Sequence, residues 1–329
     1  MKLLVTGGAG FIGSHFVKRA LAAGNDVVVL DKLTYSGNKA NLDGCEAGFV
    51  EADICDADSV RRAAEGCDAI VNFAAETHVD RSILGAAEFV QTNVFGSVVL
   101  TEVARDLEIR LVHVSTDEVY GDLDRGGSVV EDDPLRPSSP YSASKAAGDL
   151  QVLAAVRTFG VNASITRGSN TYGPNQYPEK LIPLFVTNAL DGEPLPVYGD
   201  GRQIRDWLHV EDHAAAIDLV LREGKAGEIY NVGGGEEVEN IEITGRILEL
   251  TGADANLVRH VADRPGHDRR YALDWSKARA LGWQPRRRLE EALPETVAWY
   301  RENRAWWEPL KSGEYRAYYA RQYAERLES

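Results

Sequence analysis

Tyr141 and Lys145 lie four residues apart in a stretch whose apolar pattern is helical. On a helix such a pair shares one face. The lysine charge favours the phenolate, which fits the tyrosine to take a proton near neutral pH. That is the base needed to oxidise an alcohol to a ketone beside a nicotinamide. Upstream, Thr116-Asp117-Glu118 adds a hydroxyl and two adjacent carboxyls. A ketone acidifies the neighbouring C–H, and an acid plus a base can then remove water. Hydroxide leaves poorly without a proton, so one carboxyl must be protonated while the other is ionised. Crowded carboxyls in a closed site push their pKa values apart in this way. These residues point to oxidation, elimination and reduction on one substrate; the plainer alternative is a solvated acidic turn. Adjacent residues on a strand face opposite ways, so both carboxyls reach one substrate only if the chain kinks there.

The N-terminus supplies a seat for the nicotinamide. A short apolar run, Leu3 to Val5, leads into Gly7, Gly8, Gly10 and Gly13, and an amphipathic pattern follows from Phe11 to Ala23. The glycines fit two dinucleotide-binding spacings, one through Gly7, Gly10 and Gly13 and one through Gly8, Gly10 and Gly13. Glycine permits the tight turn and lets backbone approach a pyrophosphate at a helix N-terminus. The strand-then-helix context is the one this motif requires, and it brings Phe11 and Ile12 to the same turn. Asp31 ends a second apolar run 18 residues after Gly13, near the spacing of the acid that holds a ribose 2′-hydroxyl. A carboxylate there repels a 2′-phosphate and favours NAD over NADP, although Lys32 is adjacent. Asp53 and Ile54 follow a third run and are placed to meet the adenine; a turn is the alternative.

Strand-like runs recur at 3–5, 27–30, 48–50, 69–73, 110–114 and 162–166, separated by helical patterns at 11–23, 57–64, 89–107 and 141–159. This alternation predicts an α/β fold, a doubly wound parallel sheet of Rossmann type, with ligands at the carboxyl ends of the strands. Four segments follow such ends: 7–13, 74–82, 115–120 and 167–174. Residues 1–166 read mainly as the cofactor domain. Residues 167–329 read mainly as a smaller C-terminal substrate-binding lobe, interleaved with the last strands of the sheet. The stretch 122–140 reads as a loop over the site. Aromatic residues of the tail (Trp299, Tyr300, Trp306, Trp307, Tyr315, Tyr318, Tyr319, Tyr323) read as packing against the body or a subunit contact.

A net charge of −15 and a pI near 5.0 argue against nucleic acid or an anionic membrane as partner. An anionic substrate then needs a locally basic pocket. Cys45, Cys55 and Cys67 fall in no metal-ligand spacing, and reduced thiols in a cytoplasmic protein are expected, with no metal. No run reaches transmembrane length, and the first apolar run leads straight into the glycine turn rather than a cleavable signal.

Together these residues resemble the extended short-chain dehydrogenase/reductases and, within them, the dTDP-glucose 4,6-dehydratases, from Leu3 to about Tyr315. The discriminating blocks are Ala74 to Ser82 (with His78, Asp80 and Arg81), Ser115 to Gly121, Pro178 to Pro183, Tyr198 to Trp207, and Arg264 to Asp268. Related epimerases generally lack the Asp-Glu pair, and related decarboxylases keep the Glu but not usually the Asp. The resemblance implies that Tyr141 takes the sugar 4-hydroxyl proton and that Lys145 lowers the tyrosine pKa and binds the nicotinamide ribose. Thr116 hydrogen-bonds the same hydroxyl, Glu118 removes the C5 proton and Asp117 protonates the departing C6 hydroxyl. NAD, dTDP-glucose and a homodimer built on the helices 89–107 and 141–159 are likewise implied, in a deoxysugar route such as that to rhamnose. For the nucleotide diphosphate the resemblance implies Asn170, Lys180, Leu181, Pro196, Tyr198, Arg205, Asn240, Arg264, His267 and Tyr271. Arg205 and Arg264 are suited to fork onto phosphate oxygens, and Pro196 and Tyr198 to flank a base. His78 and Arg81 shape the sugar site, unless Arg81 pairs with Asp80.

The chain departs from the family pattern at Thr77, usually Ser, and at Thr171, usually Asn. Neither belongs to the catalytic set. The alternatives are a UDP-glucose 4,6-dehydratase, a 4-epimerase, a UDP-glucuronate decarboxylase or a non-catalytic NAD-binding protein. Thymine and uracil differ by one methyl, which an apolar pocket discriminates by only about 1–3 kcal/mol.

Overall fold

The computed structural model describes residues 1–123 and 126–328. Its centre is a parallel sheet of seven strands. In chain order the first six are β1 (Lys2–Thr6), β2 (Asp26–Asp31), β3 (Gly48–Glu51), β4 (Ala69–Asn72), β5 (Arg110–Thr116) and β6 (Ala163–Gly168). These runs are Val-, Ile- and Leu-rich because both faces are covered by helices. Outside the sheet lie β7 (Asn170–Tyr172), β8 (Leu195–Tyr198) and β9 (Ile204–His209). The seventh sheet strand is β10 (Ile229–Val232); β11 (Glu237–Glu239) and β12 (Val258–Val261) complete the set. The order β10-β6-β5-β4-β1-β2-β3 reverses direction between β1 and β4, and that switch point is where an open α/β sheet opens a crevice. β10 comes from the second half of the chain yet closes the sheet edge beside β6.

One apolar cluster packs each face of the sheet: Leu4, Leu30, Ile70, Leu100 and Leu111 on one side, Val5, Phe16, Val29, Val71 and Ile217 on the other. A third core holds the second lobe, where Phe185, Ile243, Leu293 and Tyr300 meet the tail residues Trp307 and Tyr315. The aromatic tail is therefore largely packing, as read from the sequence.

The helical pattern over 89–107 is not one regular helix. A short turn Ala87–Phe89 passes into a π-helical stretch Val90–Phe95, and only Gly96–Asp106 is α-helical. The wider turn carries Asn93 inward, where its amide accepts from the Glu76 N–H and donates to the Glu76 carbonyl and to Ser144 Oγ. π turns of this kind trade ladder regularity for a side chain aimed at a site. The stretch 122–140 does not cover the site either: none of its described residues lines a cavity. Its backbone pairs instead with the segment 270–274, through Leu123 to Arg270, Val129 to Ala272 and Asp274 to Val129. No helix among the described residues is long and apolar enough to cross a membrane. The three cysteines are unpaired.

Candidate active site

Two cavities meet beyond the carboxyl ends of the strands. The first runs from Asp31, Asp53 and Ile54, past Gly7, Gly10, Phe11, Ile12 and Gly13, to Thr116, Asp117, Glu118, Tyr141 and Lys145. The second is walled by His78, Leu181, Pro196, Tyr198, Arg205, Asn240, Arg264 and His267. Glu118, Asn170 and Lys180 belong to both, so the acidic pair stands where they join. All four segments expected at strand ends contribute.

The glycine turn is shaped for close approach. Gly7 has φ 68°, and a Cβ there would stand 2.5 Å from the Ala74 nitrogen; one on Gly13 would stand 2.3 Å from the Gly7 carbonyl oxygen. The helix Phe11–Ala22 begins at Gly10 with no side-chain cap, which leaves its first N–H groups for a pyrophosphate. At the far end Asp31 accepts from the Ala9 N–H at 3.0 Å and the Leu33 N–H at 2.9 Å. It caps its turn and still keeps lone pairs for a ribose, since a carboxylate offers about four acceptor sites. Lys32 is held by Asp53 at 2.7 Å. These residues fit a dinucleotide with a free 2′-hydroxyl.

The required kink is present. β5 ends at Thr116 and passes directly into a 3₁₀ turn, Asp117–Tyr120. Successive side chains there are rotated by about 120° rather than thrown to opposite faces. Thr116 Oγ1 accepts from the Glu118 N–H at 3.3 Å and donates to Asp117 Oδ1 at 3.1 Å, so one hydroxyl sets both carboxyls. Tyr141 and Lys145 sit one turn apart on the helix Pro140–Phe159, whose start is fixed by a Ser139–Ser142 capping box and by Pro140.

The two carboxyls have unlike surroundings. Burial first, then the charges of Glu118 and Asp206, push Asp117 well above the usual carboxylate range. Its Oδ2 has no partner among the described residues. Burial also raises Glu118, but Arg264, Lys180 and Arg205 all pull it back. The rise is large at Asp117 and is opposed at Glu118 by three cations, so of the two Asp117 is the better placed to hold a proton and Glu118 to lose one. The tyrosine corrects an expectation. Burial pushes Tyr141 well above its ordinary value, with Glu118 and Asp117 adding to it, and the Thr116 hydrogen bond is what opposes them. Lys145 does not offset this: its ammonium donates to the Val114 carbonyl at 2.8 Å, and burial lowers it to about 8. A positive charge over the cavity would favour the phenolate.

In the second cavity Arg264 lies 3.6 Å from Asp80 and keeps a buried Nε without a partner among the described residues. Arg205 is stacked on Tyr271 at 4.4 Å and commits one donor of each terminal nitrogen to the Ile204 and Asp268 carbonyls. It therefore presents less of its fork than the sequence promised. Tyr271 does not line the cavity; it supports Arg205 and donates to Asp268. Arg81 also lies off the lining and pairs with Glu179 at 3.1 Å rather than with Asp80, its guanidinium between the Tyr35 and Tyr318 rings. His78 is buried and neutral, and His267, beside Asp263 at 2.6 Å, is lowered to about 4 by burial and then by Arg264. Lys180 donates to the Thr77 carbonyl, a contact indifferent to the side chain at 77. The Oδ1 atoms of Asn170 and Asn240 are buried without partners among the described residues, and both residues line the cavity.

Among the lining residues to which sequence reasoning gave no site role are Gln203, Tyr323 and His213. Tyr323 comes from the tail helix Glu314–Glu328 and meets Tyr198. His213 lies within an otherwise ordinary amphipathic helix, so nothing in its spacing signals a site.

Residues 4–296 match the family model described as GDP-mannose 4,6 dehydratase. A dTDP-glucose 4,6-dehydratase of Streptomyces niveus is 56% identical over 95% of this chain and 96% of its own. One of Streptomyces antibioticus is 52% identical over 94% and 96%. Among solved structures, DesIV, a dTDP-glucose 4,6-dehydratase from Streptomyces venezuelae with NAD and TYD bound, superposes with a TM-score of 0.92. It is 56% identical and covers 94% of this chain and 100% of its own.

Proposed function

The chain belongs to the extended short-chain dehydrogenase/reductase family, and from that premise we propose that it is a dTDP-glucose 4,6-dehydratase. The product is dTDP-4-keto-6-deoxyglucose. The observation that carries this reading is the unlike pair on the 3₁₀ turn, where burial pushes Asp117 well above the usual carboxylate range and three cations pull Glu118 back. A 4-epimerase needs no acid at Asp117. NAD, when bound, supplies a cationic ring that takes hydride from C4 and returns it at C6. Tyr141 takes the C4 hydroxyl proton, and Thr116, at the end of β5, hydrogen-bonds the same oxygen. Lys145 reaches the ribose. Glu118 then removes the C5 proton beside the new ketone, and Asp117 gives its proton to the C6 hydroxyl, which leaves as water. Arg264, Arg205 and Lys180 gather the diphosphate, and Pro196 and Tyr198 flank the base.

The helices Gly96–Asp106 and Pro140–Phe159 offer a groove between Thr101, Arg105, Ala155 and Phe159, rimmed by exposed Phe95, Leu150 and Phe159. That apolar face fits a second copy of the chain, and sedimentation tests it. The reaction is tested by incubating the protein with dTDP-glucose in heavy water, with UDP-glucose in parallel. Loss of one water with deuterium at C5 is the expected result. An unchanged mass with galactose formed overturns the assignment in favour of an epimerase.

A further inference from the structure

The helix Val210–Glu223 brings His213 to the wall of the first cavity, 2% exposed. Its ring packs closely against β6: a Cβ on Gly168 would come within 2.4 Å of Cε1 and 2.5 Å of Nε2. Gly168 is the register partner of Thr116, so the ring is one strand away from the catalytic threonine. His213 Nδ1 is 2.8 Å from Thr171 Oγ1, and that hydroxyl is also 3.1 Å from the Ser169 carbonyl. A carbonyl only accepts, so the Thr171 proton points to Ser169. The hydroxyl is then left to accept from His213, which puts the ring proton on Nδ1. Nε2 becomes a bare acceptor, and it has no partner among the described residues. A buried acceptor without a donor is costly, and each such case asks for its missing partner. Burial lowers the imidazole to about 4, so near neutral pH Nε2 does not convert to a donor.

A carbon that exchanges hydride must come within about 3–3.5 Å of its acceptor. A nicotinamide serving a sugar held by Thr116 and Tyr141 therefore lies at this end of the cavity. The geometry points to His213 Nε2 as the acceptor for the carboxamide N–H of the nicotinamide, with Thr171 fixing the tautomer. His213 is then a positioning residue that sets which face of the ring meets the sugar. The Thr at 171, where relatives of this pattern usually carry Asn, is half of the device. This inference rests on the NAD reading of the cavity.

The test is dissociation constants for cofactor-stripped protein with three ligands: NAD, ADP-ribose, which lacks the nicotinamide, and 3-acetylpyridine adenine dinucleotide, which has a methyl ketone in place of the amide. Wild type should favour NAD over the acetylpyridine analogue by about tenfold, the worth of one buried hydrogen bond. His213→Phe should bind NAD about tenfold more weakly, bind ADP-ribose as wild type does, and no longer distinguish the two dinucleotides. Thr171→Val should shift the same way by less. Equal losses of NAD and ADP-ribose, or undiminished discrimination in His213→Phe, overturn the inference. If that variant does not fold, wild type treating the two dinucleotides alike overturns it instead. Failure of wild type to bind either NAD or ADP-ribose would sink the cofactor reading itself, a separate result.

Discussion

Replacing Asp117 by Asn separates the two halves of the proposed reaction. Asn has the same size and keeps a carbonyl oxygen to accept from Thr116 Oγ1, so the 3₁₀ turn should survive. Asp117 is 4% exposed and its burial already disfavours the charged form, so the exchange costs little stability. Asn also cannot raise Tyr141 as an ionised Asp117 would, which leaves proton abstraction at O4 no harder. What disappears is the proton for the C6 hydroxyl. General acid catalysis is worth about 10²–10⁴-fold, or roughly 3–5 kcal/mol of barrier. Water loss, read by mass spectrometry, should therefore fall by about 10²–10⁴. The initial oxidation, read as reduced-cofactor absorbance in a single turnover, should stay within about tenfold of wild type, so that reduced cofactor accumulates. C5 deuterium exchange should persist, because Glu118 is intact. Equal loss of oxidation and dehydration would refute the division of labour, and so would dehydration within tenfold of wild type.

Arg264→Gln takes the first-named cation from beside Glu118, so the acidic limb of kcat/KM should move to higher pH while KM for the sugar nucleotide rises about 10- to 100-fold; an unmoved limb would dissociate Arg264 from the base. Gly13→Ala forces a Cβ to 2.3 Å from the Gly7 carbonyl, and the variant should purify without NAD and lose about 1–3 kcal/mol to urea; retained NAD would mean the turn is looser than drawn. His213 has its pKa lowered in the fold to about 4, against an unfolded value near 6.5, so between these pH values the unfolded chain binds the extra proton and stability is lost as the pH drops from 6.5 towards 4. His213→Phe should flatten the loss of urea stability over that window by at most roughly 1.4 kcal/mol per pH unit, and an unchanged slope would show that the ring titrates normally.

The parts of this site that the sequence discloses are those where local chemistry and local geometry coincide. The glycines before Phe11, and Tyr141 with Lys145, are bound to their roles by spacing along one turn or one helix. Thr116, Asp117 and Glu118 are legible for the same reason, and the kink they demanded is supplied locally, by a threonine hydroxyl capping its own turn. The failures share another cause. Tyr141 was read as a helical neighbour of a lysine, but its ionisation is set by burial and by Asp117 and Glu118, which arrive from a different strand. For Arg81 the sequence offers the sugar site or its chain neighbour Asp80, and the fold gives it Glu179, 98 residues away. The π turn around Asn93 exists to serve Glu76 and Ser144, neither of which a periodicity over 89–107 can register. His213 is the extreme case. Its role is fixed by a glycine on β6, a hydroxyl on β7 and an Nε2 with no partner among the described residues, three facts that meet only once the sheet is assembled. Residue type announces what chemistry is possible, but the long-range neighbours decide which proton each group keeps.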